Sequence, residues 1–207
     1  MLTVGELIPN FSLFAVPGGP VSATTFRGHK AVLYFYPADD TPGCTVEACA
    51  FRDRLPRFSG DGVRVFGISP QGSASHMKFA AKYNLNFPII ADDQHTMAES
   101  FGVWVEKSMY GRKYMGIQRS TFVVAPDGRV EKIWAKVKPE GHADEVLAYL
   151  RGEEPPAPKI KARVKAKPMA KVKQAANKTV KKRVKKTVRK ARTGKKVVKA
   201  KKAKTRK

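Results

Sequence analysis

Beyond residue 154 the chain contains no acidic residue and no aromatic one, and it has few large apolar side chains there. A stretch with that composition cannot offset the conformational entropy of ordering a core, so residues 159–207 are expected to be disordered in isolation. Cysteine is almost absent, with Cys44 and Cys49 alone in 207 residues, and the four histidines are scattered. Neither set has the clustered spacing a zinc site uses, so no metal and no cofactor are expected. A Cys-x-x-Cys redox pair is excluded by the five-residue spacing itself. The start, Met1-Leu2-Thr3-Val4-Gly5-Glu6, lacks a basic segment followed by an apolar run, and no stretch is long enough for a membrane span. Neither a secretory signal nor a transmembrane segment is therefore expected.

What the chain does contain falls into two parts. Residues 1–154 hold 17 Lys and Arg against 17 Asp and Glu, whereas the last 53 residues hold 24 basic residues. The whole net charge of +24 thus resides in the tail. The run Glu153-Glu154-Pro155-Pro156-Ala157-Pro158 reads as a proline-rich boundary. The expected organisation is a domain over 1–152, a linker over 153–158 and a basic tail over 159–207. The front segment is long enough for one sizeable core. Strands are expected over Asn10–Ala15, Ala31–Tyr36, Val63–Ser69, Pro88–Ala91, Ser120–Ala125 and Arg129–Ala135. Helices are expected over Thr45–Pro56, Ser73–Tyr83, Thr96–Phe101 and His142–Arg151. Ser73 or Ser75 is a candidate cap for the second helix. Pro126-Asp127-Gly128 reads as a hairpin turn between the last two strands. Strands interleaved with helices imply an α/β fold with a central sheet covered on both faces.

The most informative run is Tyr36-Pro37-Ala38-Asp39-Asp40-Thr41-Pro42-Gly43-Cys44-Thr45-Val46-Glu47-Ala48-Cys49, which follows the apolar segment Ala31–Phe35. It places Cys44 in the first turn of a helix at the end of a buried strand. Free amides and the helix dipole favour an anion there, so Cys44 is expected as a reactive thiolate. A buried structural thiol suits Cys44 poorly, because Thr41, Pro42 and Gly43 make its approach a turn; for Cys49 that reading stays open. On an intact helix, residues i and i+5 have Cα atoms roughly 8–9 Å apart. A disulfide needs them within about 7 Å. The pair can therefore bridge only if the first turns unwind. Arg119, ahead of the strand-like Thr121-Phe122-Val123-Val124, reads from its neighbours alone as a solvated strand arginine.

Pro37-x-x-x-Thr41-x-x-Cys44 resembles the peroxidatic motif of peroxiredoxins. Thr41-Pro42-Gly43-Cys44-Thr45, with Cys49 five residues on, resembles the bacterioferritin comigratory protein (PrxQ-type) branch. The similarity extends to Gly5–Leu13, to Phe79–Leu85 and Ala91-Asp92, to Gly116–Phe122 and to Gly141–Leu147, and so covers about residues 1–151. One departure is Ser69-Pro70-Gln71-Gly72, where many relatives place an acidic residue after the serine. The resemblance implies a thioredoxin-like fold and a thiol-dependent peroxidase acting on hydrogen peroxide and organic hydroperoxides. It implies that Cys44 attacks the peroxide and becomes a sulfenic acid. Thr41 holds the peroxide, Pro37 shields the thiolate, and Arg119 stabilises it and polarises the peroxide. Cys49 then resolves the sulfenic acid as an intramolecular disulfide, which thioredoxin or a similar dithiol reduces. A monomer in a reducing cytoplasm is expected.

The tail's charge density attracts polyanions, of which nucleic acid is the most abundant; an anionic membrane surface or polyphosphate is the lesser reading. With ~8–10 phosphates neutralised, log K falls against log salt with a slope near −7 to −9. No base-reading element is visible, so binding is expected to be sequence-independent, with association to the nucleoid. Its densest run gives the candidate contacts Lys181, Lys182, Arg183, Lys185, Lys186, Arg189 and Lys190. Val180, Val184 and Val188 would align on one helical face if a helix formed on a partner. The composition resembles basic tails of linker histones and of some bacterial histone-like proteins. A second reading of the whole chain is a nucleic-acid-compacting protein with a vestigial or redox-sensing front domain.

Overall fold

A computed structural model describes residues 1–109 and 111–154 of the chain. The expected tail, the valine stripe and all seven candidate nucleic-acid contacts lie outside the described residues.

The fold is organised by β3 (Lys30–Phe35), where Ala31, Val32, Leu33, Tyr34 and Phe35 are all fully buried. Successive side chains of a strand point to opposite faces. Ala31, Leu33 and Phe35 accordingly join one core, with Phe26, Phe66, Ile68, Met97, Phe101 and Phe122. Val32 and Tyr34 join the other, with Cys44, Ala48, Phe51, Phe58, Phe79 and Val146. A strand buried on both faces reads as an unbroken apolar run, and this one does.

Seven strands form one mixed sheet in the order β2-β1-β5-β4-β3-β8-β9. They are β1 (Ser12–Val16), β2 (Gly19–Ser22), β3, β4 (Val63–Ser69), β5 (Ile89–Ala91), β8 (Ser120–Val124) and β9 (Val130–Ala135). β3, β4 and β5 run parallel, and the flanking pairs are antiparallel. Helices α1 (Pro42–Gly60), α2 (Ser73–Tyr83) and α4 (His142–Arg151) contribute to the second core, and α3 (Thr96–Ser100) to the first. This is an α/β, thioredoxin-like arrangement, as expected.

Several expected elements are corrected in detail. The first helix begins three residues earlier than Thr45 and runs through Pro56 to Gly60. Its start is set by Pro42, whose missing N–H has no helical partner to lose at that position. Neither Ser73 nor Ser75 caps α2: the N-cap is Gly72, and the Ser75 hydroxyl donates to Asp39 instead. Three strands carry no expectation. β2 is Gly-Pro-Val-Ser, a composition that reads as a turn. β6 (Trp104–Met109) and β7 (Arg112–Ile117) pair as a separate antiparallel ribbon. Residues 112–115 of β7 are exposed, so no apolar alternation marks it. The Pro126-Asp127-Gly128 turn is present: the Gly128 amide donates to Ala125 O at 2.9 Å, with Gly128 at φ +86°. That conformation favours glycine.

Tyr34 lies opposite Gly67 in the β3–β4 register. A Cβ on Gly67 would stand 2.9 Å from Tyr34 Oη and 3.0 Å from its Cζ. Gly67→Ala should therefore destabilise the domain by about 1–3 kcal/mol through overpacking. Urea denaturation of both proteins checks this, and an unchanged midpoint would contradict the tight approach.

Candidate active site

α1 builds the site because its first residues meet three demands. Thr41 is the N-cap with extended dihedrals (φ −82°, ψ 149°), and Pro42, Gly43 and Cys44 follow as the first turn. The first helical bond runs from the Thr45 amide to Thr41 O at 2.9 Å. The amides of Gly43 and Cys44 therefore have no partner within the helix. No acidic residue lies in this turn, so the positive end of the helix dipole is available to an anion. Cys44 is buried against it with only 1% of its surface exposed.

Sheet register supplies the cation. Phe35 of β3 pairs with Ser120 of β8, which sets Arg119 beside the point where β3 leaves the sheet toward α1. Arg119 Nη2 donates to Cys44 Sγ at 3.2 Å, and Nη1 of the same guanidinium donates to Glu47 Oε2. Cys44 and Glu47 are three residues apart on one helix face, so a single arginine fork reaches both. Gly43 keeps this approach open: a Cβ there would lie 3.3 Å from Pro139 Cγ and 3.6 Å from Arg119 Nη2. The solvated-strand reading of Arg119 does not hold, since its side chain is only 15% exposed.

The charges around the thiol are interdependent. Burial pushes the Glu47 carboxyl up to about 7, although Arg119 pulls it down. Burial lowers the pKa of Arg119, but Glu47 and then Cys44 outweigh it and raise it, so the guanidinium stays charged. Lys107 of β6 donates to Ile117 O nearby; burial and then the Arg119 charge lower its pKa. Tyr34 lies below the site with a buried hydroxyl that has no hydrogen-bond partner among the described residues. Glu47, Tyr34 and Lys107 are members of this environment that the motif does not mark. Only the three-residue spacing of Glu47 from Cys44 hints at its place.

The remaining expected residues take these positions. Pro37 sits half-buried in the loop between β3 and α1. The Thr41 hydroxyl donates to Ala38 O at 3.1 Å rather than capping α1. Cys49 is half-buried further along the same unbroken helix, and both thiols are free. Burial raises the Cys49 pKa, against the lowering effect of Arg52. Among the described residues no cluster of metal-ligating side chains occurs, and no helix is long and apolar enough to cross a membrane.

A helix-terminal thiol in contact with an arginine, on this sheet, defines the thiol peroxidase class. Residues 4–133 match the AhpC/TSA family. The putative peroxiredoxin Bcp of Coxiella burnetii is 44% identical over 149 residues, covering 72% of this chain and 99% of that protein. The peroxiredoxin Bcp of Bacillus subtilis is 43% identical over 150 residues, covering 72% and 96%. Among solved structures, the bacterioferritin comigratory protein of Xanthomonas campestris, described for its alkyl peroxide reduction activity, has 41% identity and a TM-score of 0.66. The similarity spans 69% of this chain and 90% of that one. A cysteine-to-serine mutant of Xylella fastidiosa PrxQ gives a TM-score of 0.70 at 34% identity, covering 73% and 97%. The chain belongs to the AhpC/TSA family and, within it, to the Bcp/PrxQ-type peroxiredoxins. It is a thiol peroxidase.

Glu47 has a stability consequence whose sign follows from its raised pKa. The folded state holds a proton on Glu47 between its ordinary value of 4.5 and about 7, where the unfolded chain does not. Its contribution to stability is thus present below about 4.5 and lost as pH rises through 7. The full change amounts to about 3 kcal/mol. Urea denaturation at pH 5 and pH 8 should show a loss in the wild type that is absent in Glu47→Gln. Parallel pH dependence of the two proteins would count against the burial account.

Proposed function

We propose that Cys44 is the peroxidatic cysteine of a two-cysteine cycle resolved within the chain by Cys49. The Cys44 thiolate attacks the terminal oxygen of hydrogen peroxide or an organic hydroperoxide. An S–O bond forms, the O–O bond breaks, and the leaving oxygen departs as water or alcohol after taking up a proton. The single observation that carries this reading is the Arg119 guanidinium on Cys44 Sγ at 3.2 Å, anchored from its other side by Glu47. A fixed cation there stabilises both the thiolate and the negative charge developing on peroxide oxygen. Thr41 holds the peroxide and Pro37 shields the thiolate from water. The sulfenic acid then condenses with the Cys49 thiol, releasing water and forming the disulfide. A dithiol such as thioredoxin restores both thiols, which places the cycle in a reducing cytoplasm.

Helix geometry supports one further condition. Cys44 and Cys49 share α1, and at i, i+5 their Cα atoms stand roughly 8–9 Å apart. Condensation therefore requires the first turns to unwind. Cys44→Ser should abolish peroxide consumption coupled to a thioredoxin system, with no rescue by Cys49. Cys49→Ser should slow recycling and favour over-oxidation of Cys44. One equivalent of peroxide should yield an intramolecular Cys44–Cys49 disulfide by peptide mapping. Substantial turnover by Cys44→Ser, or bonds that are only intermolecular, would remove the assignment.

The second part of the proposal concerns charge. We infer a catalytic domain over 1–152, a linker over 153–158 and a nucleic-acid-binding tail over 159–207, in a chain that acts as a monomer. The tail carries 24 positive and no negative residues from position 155 on, whereas residues 1–154 are balanced. Lys181, Lys182, Arg183, Lys185, Lys186, Arg189 and Lys190 form its densest run. Such a segment binds phosphate backbones without reading bases, and would hold the peroxidase near the nucleoid. Residues 1–154 should keep peroxidase activity within about threefold, because Cys44, Cys49, Thr41, Pro37 and Arg119 all lie within them, and should lose DNA binding. The full chain should bind unrelated duplexes alike, with a log–log salt slope near −7 to −9 for ~8–10 neutralised phosphates. Gel-shift titrations of both proteins at several salt concentrations test this. Equal binding by the truncated chain, or none by the full chain at physiological salt, would overturn it.

A further inference from the structure

The loop from Pro37 to Thr41 is fastened on its other side, to Gln71 and the start of α2, by a set of bonds separate from the Cys44–Arg119–Glu47 contacts. The Asp39 side chain, 4% exposed, accepts hydrogen bonds from Tyr36 Oη at 2.7 Å, Ser75 Oγ at 2.6 Å and His76 Nδ1 at 2.9 Å. His76 is fully buried, so this is an interior clamp rather than a surface pair. Burial pushes the Asp39 carboxyl up, and the bonds from His76, Ser75 and Tyr36 outweigh it and hold it below the ordinary range. The Asp39 amide donates to Gln71 Oε1.

The amide of Asp39 and the carbonyl of Ala38 belong to one peptide unit. That unit is planar and rigid, so pinning the N–H on one edge fixes the direction of the C=O on the other. The Ala38 carbonyl is the acceptor for the Thr41 hydroxyl, at 3.1 Å. A threonine hydroxyl has one proton and two lone pairs. With its proton directed to Ala38, Thr41 can present only lone pairs outward, beside Cys44 at the start of α1. An organic hydroperoxide carries one O–H, on its terminal oxygen, and hydrogen peroxide one on each oxygen; an oriented acceptor positions the O–H of the oxygen that Cys44 attacks.

We propose that Gln71 and Asp39 are positioning residues for peroxide reduction, holding the Ala38–Asp39 peptide so that its carbonyl turns Thr41 into an acceptor for the hydroperoxide O–H. The proposal rests on the peroxidatic role of Cys44. It assigns Gln71 an effect that passes through Thr41, not through the stability of the fold.

Competition of the full chain with a haem peroxidase for hydrogen peroxide reads only the peroxide step, whatever becomes of the disulfide. Gln71→Ala should lower that rate constant about five- to tenfold through misorientation of the acceptor. Gln71→Glu keeps an acceptor oxygen and should recover most of the loss. Asp39→Ala, which releases the other side of the same peptide, should fall at least as far as Gln71→Ala. In a Thr41→Val chain, where no hydroxyl remains to orient, adding Gln71→Ala should lower the rate no further, because residues acting through one another are non-additive. Losses that multiply in the double variant, or a wild-type rate for Gln71→Ala, would overturn the proposal. If Cys44→Ser competes as well as the wild type, the peroxidatic reading itself fails, and that result is distinct from the others.

Discussion

A carboxylate with no exposed surface must be either neutral or paired, and Glu47 is where this fold meets that condition. Its partner is Arg119, and the same guanidinium touches the Cys44 sulfur. The placement of much else follows from that one fork. The β3–β8 register must set Arg119 beside the end of β3, α1 must begin at Pro42 so that Cys44 and Glu47 share a face, and the lack of a side chain at Gly43 leaves Pro139 and Arg119 uncrowded. Burial that costs stability at Glu47 also shields the arginine from water, which strengthens its attraction for an anion in the site. The Oε1 atom of Glu47 has no partner among the described residues, so the arginine is the carboxylate's main compensation.

The helix that creates the reactive thiol also keeps its proposed resolving partner away. Cys49 lies on the same unbroken α1, and the proposed disulfide requires the helix to open from its start. The structure of that start favours opening. The Thr41 hydroxyl donates to Ala38 instead of capping the helix, and the first turn has no acidic side chain to complement the dipole. A side-chain cap contributes about 1 kcal/mol, so its absence leaves the first turn easier to separate than an ordinary helix end. The Thr41 hydroxyl is thus spent on the loop rather than on the helix end, which suits the opening that the proposed disulfide requires.

Charge is divided along the chain as sharply as chemistry. Residues 1–154 are balanced and hold Cys44, Glu47 and Arg119, whereas the net charge of +24 lies beyond them. Electrostatic attraction to a polyanion needs density of one sign and no defined geometry. Peroxide reduction needs geometry to a fraction of an ångström and little net charge. Under the proposed reading of the tail, separating the two along the sequence would let each be satisfied without constraint from the other.

The sequence by itself determined the layered α/β fold, the position of Cys44 at a helix start and the charge division. These are local or compositional properties: an unbroken apolar run at β3, a proline and glycine ahead of a cysteine, an absence of acid. β4, α2 and α4 are legible to the residue for the same reason. The ribbon of β6 and β7 is not, because the exposed residues 112–115 of β7 lack the alternation that burial imposes. Ser75 illustrates the limit of local reading. By spacing it is a helix cap, yet its hydroxyl is taken by Asp39, 36 residues away in the chain. Only the tertiary structure decided the Arg119–Glu47 pair, separated by 72 residues, and the Gln71 contact with Asp39, separated by 32. No periodicity encodes such pairs. They arise when sheet register and helix packing bring distant segments together, and when burial leaves a polar group only one partner to choose.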